Sequence, residues 1–210
     1  MRDAAIGRVL LAALHQAIAD VLPDRLEFYE NWFPPQGLRS GTIGLGPFYA
    51  VLSFLRLEGT PYDAVMARAG AFAGEWALDG LPGSRRRLIP ALPGPLRRRA
   101  AMGAVALVVR ATYSGCRVRT RVRGTDGVLE IRSSVFCNIR DRADHPLCRF
   151  YAATATAVLG GLGVAARARV DACRATGAPN CRIALRLDAP ELAPEADEAP
   201  LERAPGAPAA

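Results

Sequence analysis

The stretch CRVRTRVRGTDGVLEIRSSVF, residues 116–136, decides the fold class of this chain. From Cys116 to Arg123 every second residue is an arginine, and the residues between them are uncharged. Alternation with a period of two is typical of a strand with one covered face and one wet face. Gly124 and Gly127 then mark a turn before a second apolar run. The stretch predicts a β-hairpin, and its arginine face is either simply solvated or able to attract anions.

A helix and a second pair of strands follow this hairpin. Residues 146–162 are rich in small side chains and end in glycines, which predicts a helix that another element approaches closely. Strands are expected at 164–173 and 181–187. The resulting order predicts an α+β fold, with N-terminal helices packed on a four-stranded antiparallel sheet and one helix between its two hairpins. Helical spacing and proline positions place the earlier helices at residues 3–21, 24–32, 47–57, 61–78 and 96–113, with 81–95 broken by glycines and prolines.

Length and composition indicate one domain followed by a tail. The chain has 210 residues, of which 50% are hydrophobic, enough for one sizeable core. The domain is expected to span residues 1–187. Residues 188–210 are dominated by alanine, proline and glutamate, which cannot build a core, and this tail is predicted to be disordered.

The charge of the chain is strongly basic and comes from arginine alone. It has 27 basic residues, none of them lysine, and a net charge of +7. Six of the 20 acidic residues follow Leu187, so the body is more basic than the whole chain. Such a field favours anionic ligands, acidic partners or weak contact with anionic membrane surfaces. The alternative is an arginine-rich surface that is simply solvated. No motif that reads nucleic acid accompanies it, so no specific nucleic-acid partner is expected.

The expected location is the cytoplasm. No run of about 18 apolar residues predicts a membrane-spanning helix, and the N-terminus lacks the pattern of a signal peptide. In a reducing compartment, five cysteines are more typical of free thiols or metal ligands than of a disulfide framework.

Four of the five cysteines are candidates for one metal site. Cys137 and Cys148 lie at a predicted strand end and helix start, and Cys173 and Cys181 lie at facing ends of two predicted strands. Zinc prefers about four such ligands in a tetrahedron. Their spacing, Cys-x10-Cys-x24-Cys-x7-Cys, matches no compact zinc finger. From spacing alone, the alternative is a set of buried thiols that behave as small hydrophobic residues.

Three segments carry a resemblance to a known family. The segments SVFC (134–137), PLCRFYAATATAVLGGLG (146–163) and VDACRATGAPNCRIAL (170–185) resemble the C-terminal core of 4-vinyl reductase (4VR) domains. The resemblance implies the fold of haem NO-binding-like domains and of TRAPP transport-particle subunits in the Golgi, as a homodimer with an internal apolar cavity. It also implies a link to bacteriochlorophyll biosynthesis, through tetrapyrrole ligands, or to the sensing of phenols.

The same resemblance implies a ligand set for structural zinc. In the phenol sensors three cysteines and a glutamate hold the ion, and the cysteines match Cys148, Cys173 and Cys181. The glutamate falls at Val170, which cannot bind metal, so either another residue supplies the fourth ligand or no zinc is bound. Cys137 is the first choice, Asp171 is its competitor, and His145 is a further candidate.

The expected function is that of a non-catalytic domain that carries or senses a hydrophobic small molecule, with a tetrapyrrole intermediate favoured. The alternatives are a reductase or accessory factor of bacteriochlorophyll synthesis, and an assembly subunit. No catalytic arrangement and no dinucleotide loop emerges from the sequence, which disfavours an enzyme. Four aromatic residues on predicted helices or helix ends are expected to face the core and to line a ligand pocket: Phe72, Trp76, Tyr113 and Phe150.

Overall fold

The computed structural model describes residues 5–32, 42–139 and 142–188. In these residues the chain is a mixed α+β fold with seven α-helices and a four-stranded antiparallel sheet, which confirms the expected fold class. The helices are α1 (Arg8–Val21), α2 (Leu26–Glu30), α3 (Leu45–Leu57), α4 (Thr60–Asp79), α5 (Gly83–Ala91), α6 (Gly94–Ala111) and α7 (Arg149–Gly161).

The sheet is built from the two hairpins that the sequence predicts. Its strands, β3 (Val118–Arg123), β4 (Asp126–Ile131), β5 (Ala166–Ala172) and β6 (Cys181–Leu187), lie in the order β3-β4-β6-β5. Inward residues such as Leu129 and Ile183 face each other across β4 and β6, while the arginines of β3 are exposed. Strands β3 and β5 form the two edges.

A two-stranded ribbon at the N-terminus corrects one predicted boundary. The helix expected from residue 3 begins only at Arg8, because Ala5–Gly7 forms strand β1, which pairs with β2 (Thr42–Gly44). The backbone N–H of Gly7 also donates to the carbonyl of Thr112 at 2.9 Å. A side chain at Gly7 would overlap the carbonyl of Ala111, so glycine permits this close approach.

The helices stack in layers over one face of the sheet. Helices α6 and α7 contact β3 and β5, α4 packs on α7, and α1 packs on α4. The predicted close approach to the small-residue helix is made by α4, whose Gly70 and Gly74 lie against the backbone of α7. Helix α1 adds six buried residues to the same core and ends before Pro23.

Helix α5 was not expected from the sequence, in which glycines and prolines interrupt the helical pattern over residues 81–95. Proline is tolerated near the end of this short helix, because Pro90 is its second-last residue. The carbonyl of Pro82 accepts hydrogen bonds from the N–H groups of Arg85 and Arg86, which closes the first turn. Only Ile89 of the helix is buried.

Two predictions concern the limits of the fold. The boundary of the domain at residue 187 stays a prediction, and the predicted disordered tail lies, apart from Asp188, outside the described residues. Among the described helices, none has the combination of length and apolar character that crossing a bilayer requires.

Candidate functional site

Four cysteines from four separate segments meet at one end of the sheet. Cys137 ends a short 3-10 turn (Val135–Cys137) that follows β4, and Cys148 immediately precedes α7. Cys173 follows β5, and Cys181 is the first residue of β6. Their Sγ atoms all lie within 4.8 Å of one another, and all are free thiols. The fold thus places the four cysteines named from the sequence around one point.

The sulfur–sulfur distances suit a single small ion. The Sγ of Cys137 lies 3.6 Å from that of Cys148 and 3.4 Å from those of Cys173 and Cys181. Cys148 and Cys173 are 3.1 Å apart. In a tetrahedral site with Zn–S bonds of about 2.3 Å, the sulfurs stand about 3.8 Å apart. Small outward movements of the side chains would therefore make room for one ion at the centre.

A β-bulge sets which side chains enter this cluster. The register between β5 and β6 shifts between Val170 and Ala172, so one extra residue is inserted on β5. In a regular strand Asp171 and Cys173 would share a face. The inserted residue instead turns Cys173 inward beside Cys181 and leaves Asp171 on the outer face. There the Asp171 carboxylate pairs with Arg169 and Arg182, each at 3.5 Å.

The other candidates for a fourth ligand also lie outside the cluster. The side chain of Val170 is half-buried, and Val170 pairs with Ile183 of β6 in the sheet. His145 is exposed, and its ring lies 6.4 Å from the ring of Tyr62. In the part of the chain that the structure describes, the four cysteines are the side chains of metal-binding type that are gathered at this point. Cys137 therefore fits the fourth position by geometry.

The cluster is buried and receives backbone hydrogen bonds. Cys148, Cys173 and Cys181 are fully buried, and Cys137 is nearly so. The backbone N–H of Leu147 donates to Cys173 Sγ at 3.4 Å, and that of Arg174 donates to Cys181 Sγ at 3.5 Å. Amide donors that point at sulfur favour the thiolate form, which is the form that binds metal.

Hydrogen bonds among the thiols shift their pKa values in opposite directions. The contact with Cys148 lowers the pKa of Cys137, and contacts with Cys137 and Cys148 lower the pKa of Cys173. The pKa values of Cys148 and Cys181 are raised, first by their hydrogen bonds with Cys137. A bound divalent cation would favour the thiolate form of all four sulfurs.

Two residues far upstream support the cluster and were not found from the sequence. Arg56, in the last turn of α3, donates from Nη2 to the carbonyl of Phe136 at 3.0 Å, directly before Cys137. Tyr62 donates from Oη to the carbonyl of Leu147 at 3.2 Å. These contacts span 80 and 85 residues of sequence. No local pattern could have identified them, because each depends on how the helices pack.

Cys116 lies apart from the cluster. It precedes β3 and is 8% exposed, and burial raises the pKa of its thiol to about 11. A buried neutral thiol is a poor nucleophile. Cys116 is thus a packed thiol outside the cluster.

A groove of about 680 Å³ runs between α4, α7 and β5. Arg149 and Arg169 lie at its polar edges, and Asp63 Oδ1 is buried in its wall without a hydrogen-bond partner among the described residues. The floor is apolar, and most of its residues are alanines: Ala67, Ala71, Ala152, Ala153, Ala157 and Ala168.

The four aromatic residues predicted to line a pocket lie elsewhere. Phe150 is fully buried and packs on Phe136, with ring centroids 4.9 Å apart. Phe72 and Trp76 stack on each other along α4 at 5.3 Å, and Trp76 is 36% exposed. Tyr113 is half-buried after α6. None of them is among the residues that line the groove, and their role in binding stays a prediction.

Comparison with solved structures finds the same fold in proteins of very different sequence. An H-NOX protein from S. oneidensis in the Fe(II)NO ligation state superposes with a TM-score of 0.53. It is 14% identical, and the match covers 87% of this chain and 99% of that chain. A trafficking protein particle complex subunit 3 from Naegleria fowleri, covalently bound to palmitic acid, gives a TM-score of 0.50 at 12% identity. That match covers 67% of this chain and 90% of the other.

A third similar structure is the phenol-responsive sensory domain of the transcription activator PoxR with phenol, at a TM-score of 0.42. It is 18% identical, and the match covers 70% of this chain and 77% of that chain. That similarity is too low to support an argument. No protein-family model matches the sequence, and no curated protein matches it significantly. The solved structures therefore establish the fold: this chain folds like the H-NOX protein and the transport-particle subunit.

Proposed function

We propose that this chain is a non-catalytic cytoplasmic domain of the 4-vinyl reductase type that carries or senses a hydrophobic small molecule and holds a structural zinc ion. A tetrapyrrole intermediate, such as a bacteriochlorophyll precursor, is the favoured ligand, and a homodimer is the favoured assembly. The convergence of four buried thiols beside an open apolar groove is the observation that carries this proposal.

Zinc is the metal that best suits the donor set. Thiolates select zinc, copper(I) or iron–sulfur clusters over harder cations. Sulfurs 3.1–3.6 Å apart leave room for one ion and not for a cluster of several. Four sulfurs around one point favour the tetrahedral geometry of zinc.

The role proposed for the ion is structural. A catalytic zinc keeps one position open for water or substrate, whereas Cys137, Cys148, Cys173 and Cys181 would fill all four. Zinc with four thiolates carries a net charge of −2, and the Arg56 guanidinium next to Cys137 would offset part of it. The ion would fasten the 3-10 turn, the start of α7 and the β5–β6 hairpin to one another.

The groove supports the small-molecule part of the proposal. Ligand sites are concave and mostly apolar, with a few polar groups that orient the ligand. The alanine floor suits a flat apolar molecule, and Arg149 and Arg169 suit carboxylates at its edge, a combination that tetrapyrroles and fatty acids share. Proteins of the same fold hold palmitic acid or NO, which is consistent with a ligand-binding role for this chain.

A thermal-shift experiment tests the ligand part. The full chain is incubated in turn with porphyrins, fatty acids and phenolics, and its melting temperature is measured. A ligand at 100 times its Kd stabilises the fold by about 2.7 kcal/mol, which is easily measured as a shift in melting temperature. We expect porphyrins to give the largest shift. If no compound of the three classes changes the melting temperature, the ligand-binding proposal is wrong.

Two substitutions locate the site. Thr156 is exposed and lines the groove, so Thr156→Trp should fill it and reduce the shift. Thr125, exposed in the turn between β3 and β4, provides the matched control Thr125→Trp, which should leave the shift unchanged. A shift that survives Thr156→Trp would place the ligand outside the groove.

A further inference from the structure

Helix α5 lies on the surface of the fold. Of its nine residues only Ile89 is buried, while Leu88 is 64% exposed. The first turn of the next helix contains a second exposed leucine, Leu96, at 52%. Isolated helices of this length are marginal in water, so α5 is stabilised mainly by what it packs against. Its outer side offers apolar surface to a partner.

Arginines neighbour these leucines in the sequence of α5 and α6. Between Asp79 and Asp126 the sequence contains no acidic residue. Arg86 pairs with Asp79 at 3.2 Å, and Arg98 pairs with Asp188. Three further arginines are exposed and have no ion-pair partner among the described residues: Arg85, Arg87 and Arg99. We call the exposed residues Arg85, Arg87, Leu88, Leu96 and Arg99 of these two consecutive helices the basic corner.

Exposed leucines among unpaired arginines favour one class of partner over the others. On an anionic bilayer the arginines can bind lipid phosphates while their aliphatic stems and the leucines enter the headgroup region. A nucleic acid would use the arginines but gain nothing from the leucines, and single strands need aromatic side chains for stacking. The exposed residues of the basic corner include no aromatic side chain.

We infer that the basic corner is a docking surface for anionic lipid membranes. Leu88 and Leu96 would insert at the level of the headgroups, and Arg85, Arg87 and Arg99 would contact phosphates. The surface contains none of the cysteines of the cluster and none of the residues that line the groove. The inference therefore goes beyond the proposed function and stands or falls independently of it.

Vesicle flotation with the full chain tests the inference. We expect the chain to bind phosphatidylcholine vesicles that contain phosphatidylglycerol, to release them at high salt, and to ignore pure phosphatidylcholine vesicles. Each arginine near an anionic surface contributes about 1 kcal/mol, so the double variant Arg85→Gln/Arg87→Gln should bind about 30-fold more weakly. The double variant Leu88→Ser/Leu96→Ser should also bind about tenfold more weakly, and its exposed positions should leave the melting temperature unchanged.

Matched controls separate the basic corner from the charge of the whole chain. Arg119 and Arg121 are exposed on the outer face of the sheet, so Arg119→Gln/Arg121→Gln removes the same charge elsewhere. Leu57, 83% exposed at the end of α3, gives Leu57→Ser as the apolar control. Both controls should bind as the wild type does.

Three results would overturn the inference. The first is an equal loss of binding in the control variants, which would mean attraction by diffuse charge. The second is binding to a DNA duplex but not to anionic vesicles. The third is vesicle binding that occurs only after residues 189–210 are removed, which would make the acidic C-terminal segment the occupant of the surface.

Discussion

The hydroxyl of Tyr62 donates a hydrogen bond to the carbonyl of Leu147 at 3.2 Å, and the N–H of the same Leu147 donates to Cys173 Sγ at 3.4 Å. One peptide segment thus connects a side chain of α4 to a sulfur of the cluster. Tyr62 is almost fully buried, and burial raises its pKa well above the ordinary value, so the hydroxyl stays protonated as a donor. The helical layer and the cysteine cluster are coupled through this contact.

Tyr62→Phe should therefore lower the stability of the fold and also speed the release of zinc. Loss of the hydroxyl leaves a buried carbonyl without its donor, which costs about 1–2 kcal/mol of unfolding free energy. The segment before Cys148 should become more mobile, and the variant should release zinc to a chelator faster than the wild type does. Urea unfolding measures the first effect, and a colorimetric zinc-transfer assay measures the second.

Tyr29→Phe is the matched control. Tyr29 is also fully buried, and its hydroxyl donates to Glu58 Oε1 at 2.9 Å, a contact that involves no cysteine of the cluster. This variant should lose a similar amount of unfolding free energy and release zinc at the wild-type rate. Equal zinc-release rates in the two variants and the wild type would contradict the coupling through Leu147.

The purified chain should contain about one equivalent of zinc, and elemental analysis measures this directly. Cys148→Ser, Cys173→Ser and Cys181→Ser should each fall below about half an equivalent, because serine is a much poorer zinc ligand than a thiolate. Cys116→Ser should keep the full amount, since Cys116 lies outside the cluster. A wild-type chain with less than about half an equivalent would refute the zinc site.

Much of this architecture could be predicted from the sequence, because period-two alternation and helical spacing are local signals. The hairpin and the small-residue helix carry such signals, and both form. The second strand of the hairpin, however, ends at Ile131, and a 3-10 turn (Val135–Cys137) replaces the strand that was expected to continue to residue 136. The orientation of Cys173 could not be predicted in the same way. It depends on a β-bulge beside Asp171, which reverses the alternation of side chains and leaves no trace in residue type.

Contacts between elements that are distant in the sequence could not be predicted either. Arg56 and Tyr62 reach the cluster only because the end of α3 lies against the 3-10 turn and α4 packs against α7. The ribbon of β1 and β2 joins residues that are far apart in sequence, so the strand at Ala5–Gly7 reads as the first turn of a helix. Sequence periodicity reports on neighbours along the chain, and these features depend on neighbours in space.

The crossing of α4 and α7 should be intolerant of added volume. A Cβ at Gly70 would overlap the carbonyl oxygen of Phe150 and approach Ala153 Cβ to 2.8 Å. Gly70→Ala should therefore lower the free energy of unfolding by about 2 kcal/mol, although alanine is the better helix former. Chemical denaturation with circular dichroism measures the change.

Gly103 provides the opposite case within a helix. A Cβ there meets no atom within 4 Å, so Gly103→Ala should raise the unfolding free energy by about 0.5–1 kcal/mol through helix propensity alone. If both alanine variants changed stability in the same direction, the close contact of α4 with α7 would not explain the need for glycine at residue 70.

Cys116 should make stability depend on alkaline pH. Its pKa is raised by burial from 9.0 to about 11, so the neutral thiol is favoured in the folded state. The stabilisation is fully present below pH 9, where the thiol is neutral in both states, and is lost as the pH rises through about 11. The unfolding free energy of the wild type relative to Cys116→Ala should thus fall by up to about 2 kcal/mol over this interval. A constant difference between the two proteins would contradict the assignment.

The positions of the four cysteines along the chain have a consequence for the order of assembly. Cys137 and Cys181 are separated by 44 residues, and closing such a loop in an unfolded chain is entropically costly. An ion bound to all four sulfurs would act as a cross-link that only the folded chain can accept, so its binding free energy would add to that of folding. During synthesis the coordination shell would stay incomplete until β6 has emerged, which makes metal capture a late event that follows the docking of the second hairpin.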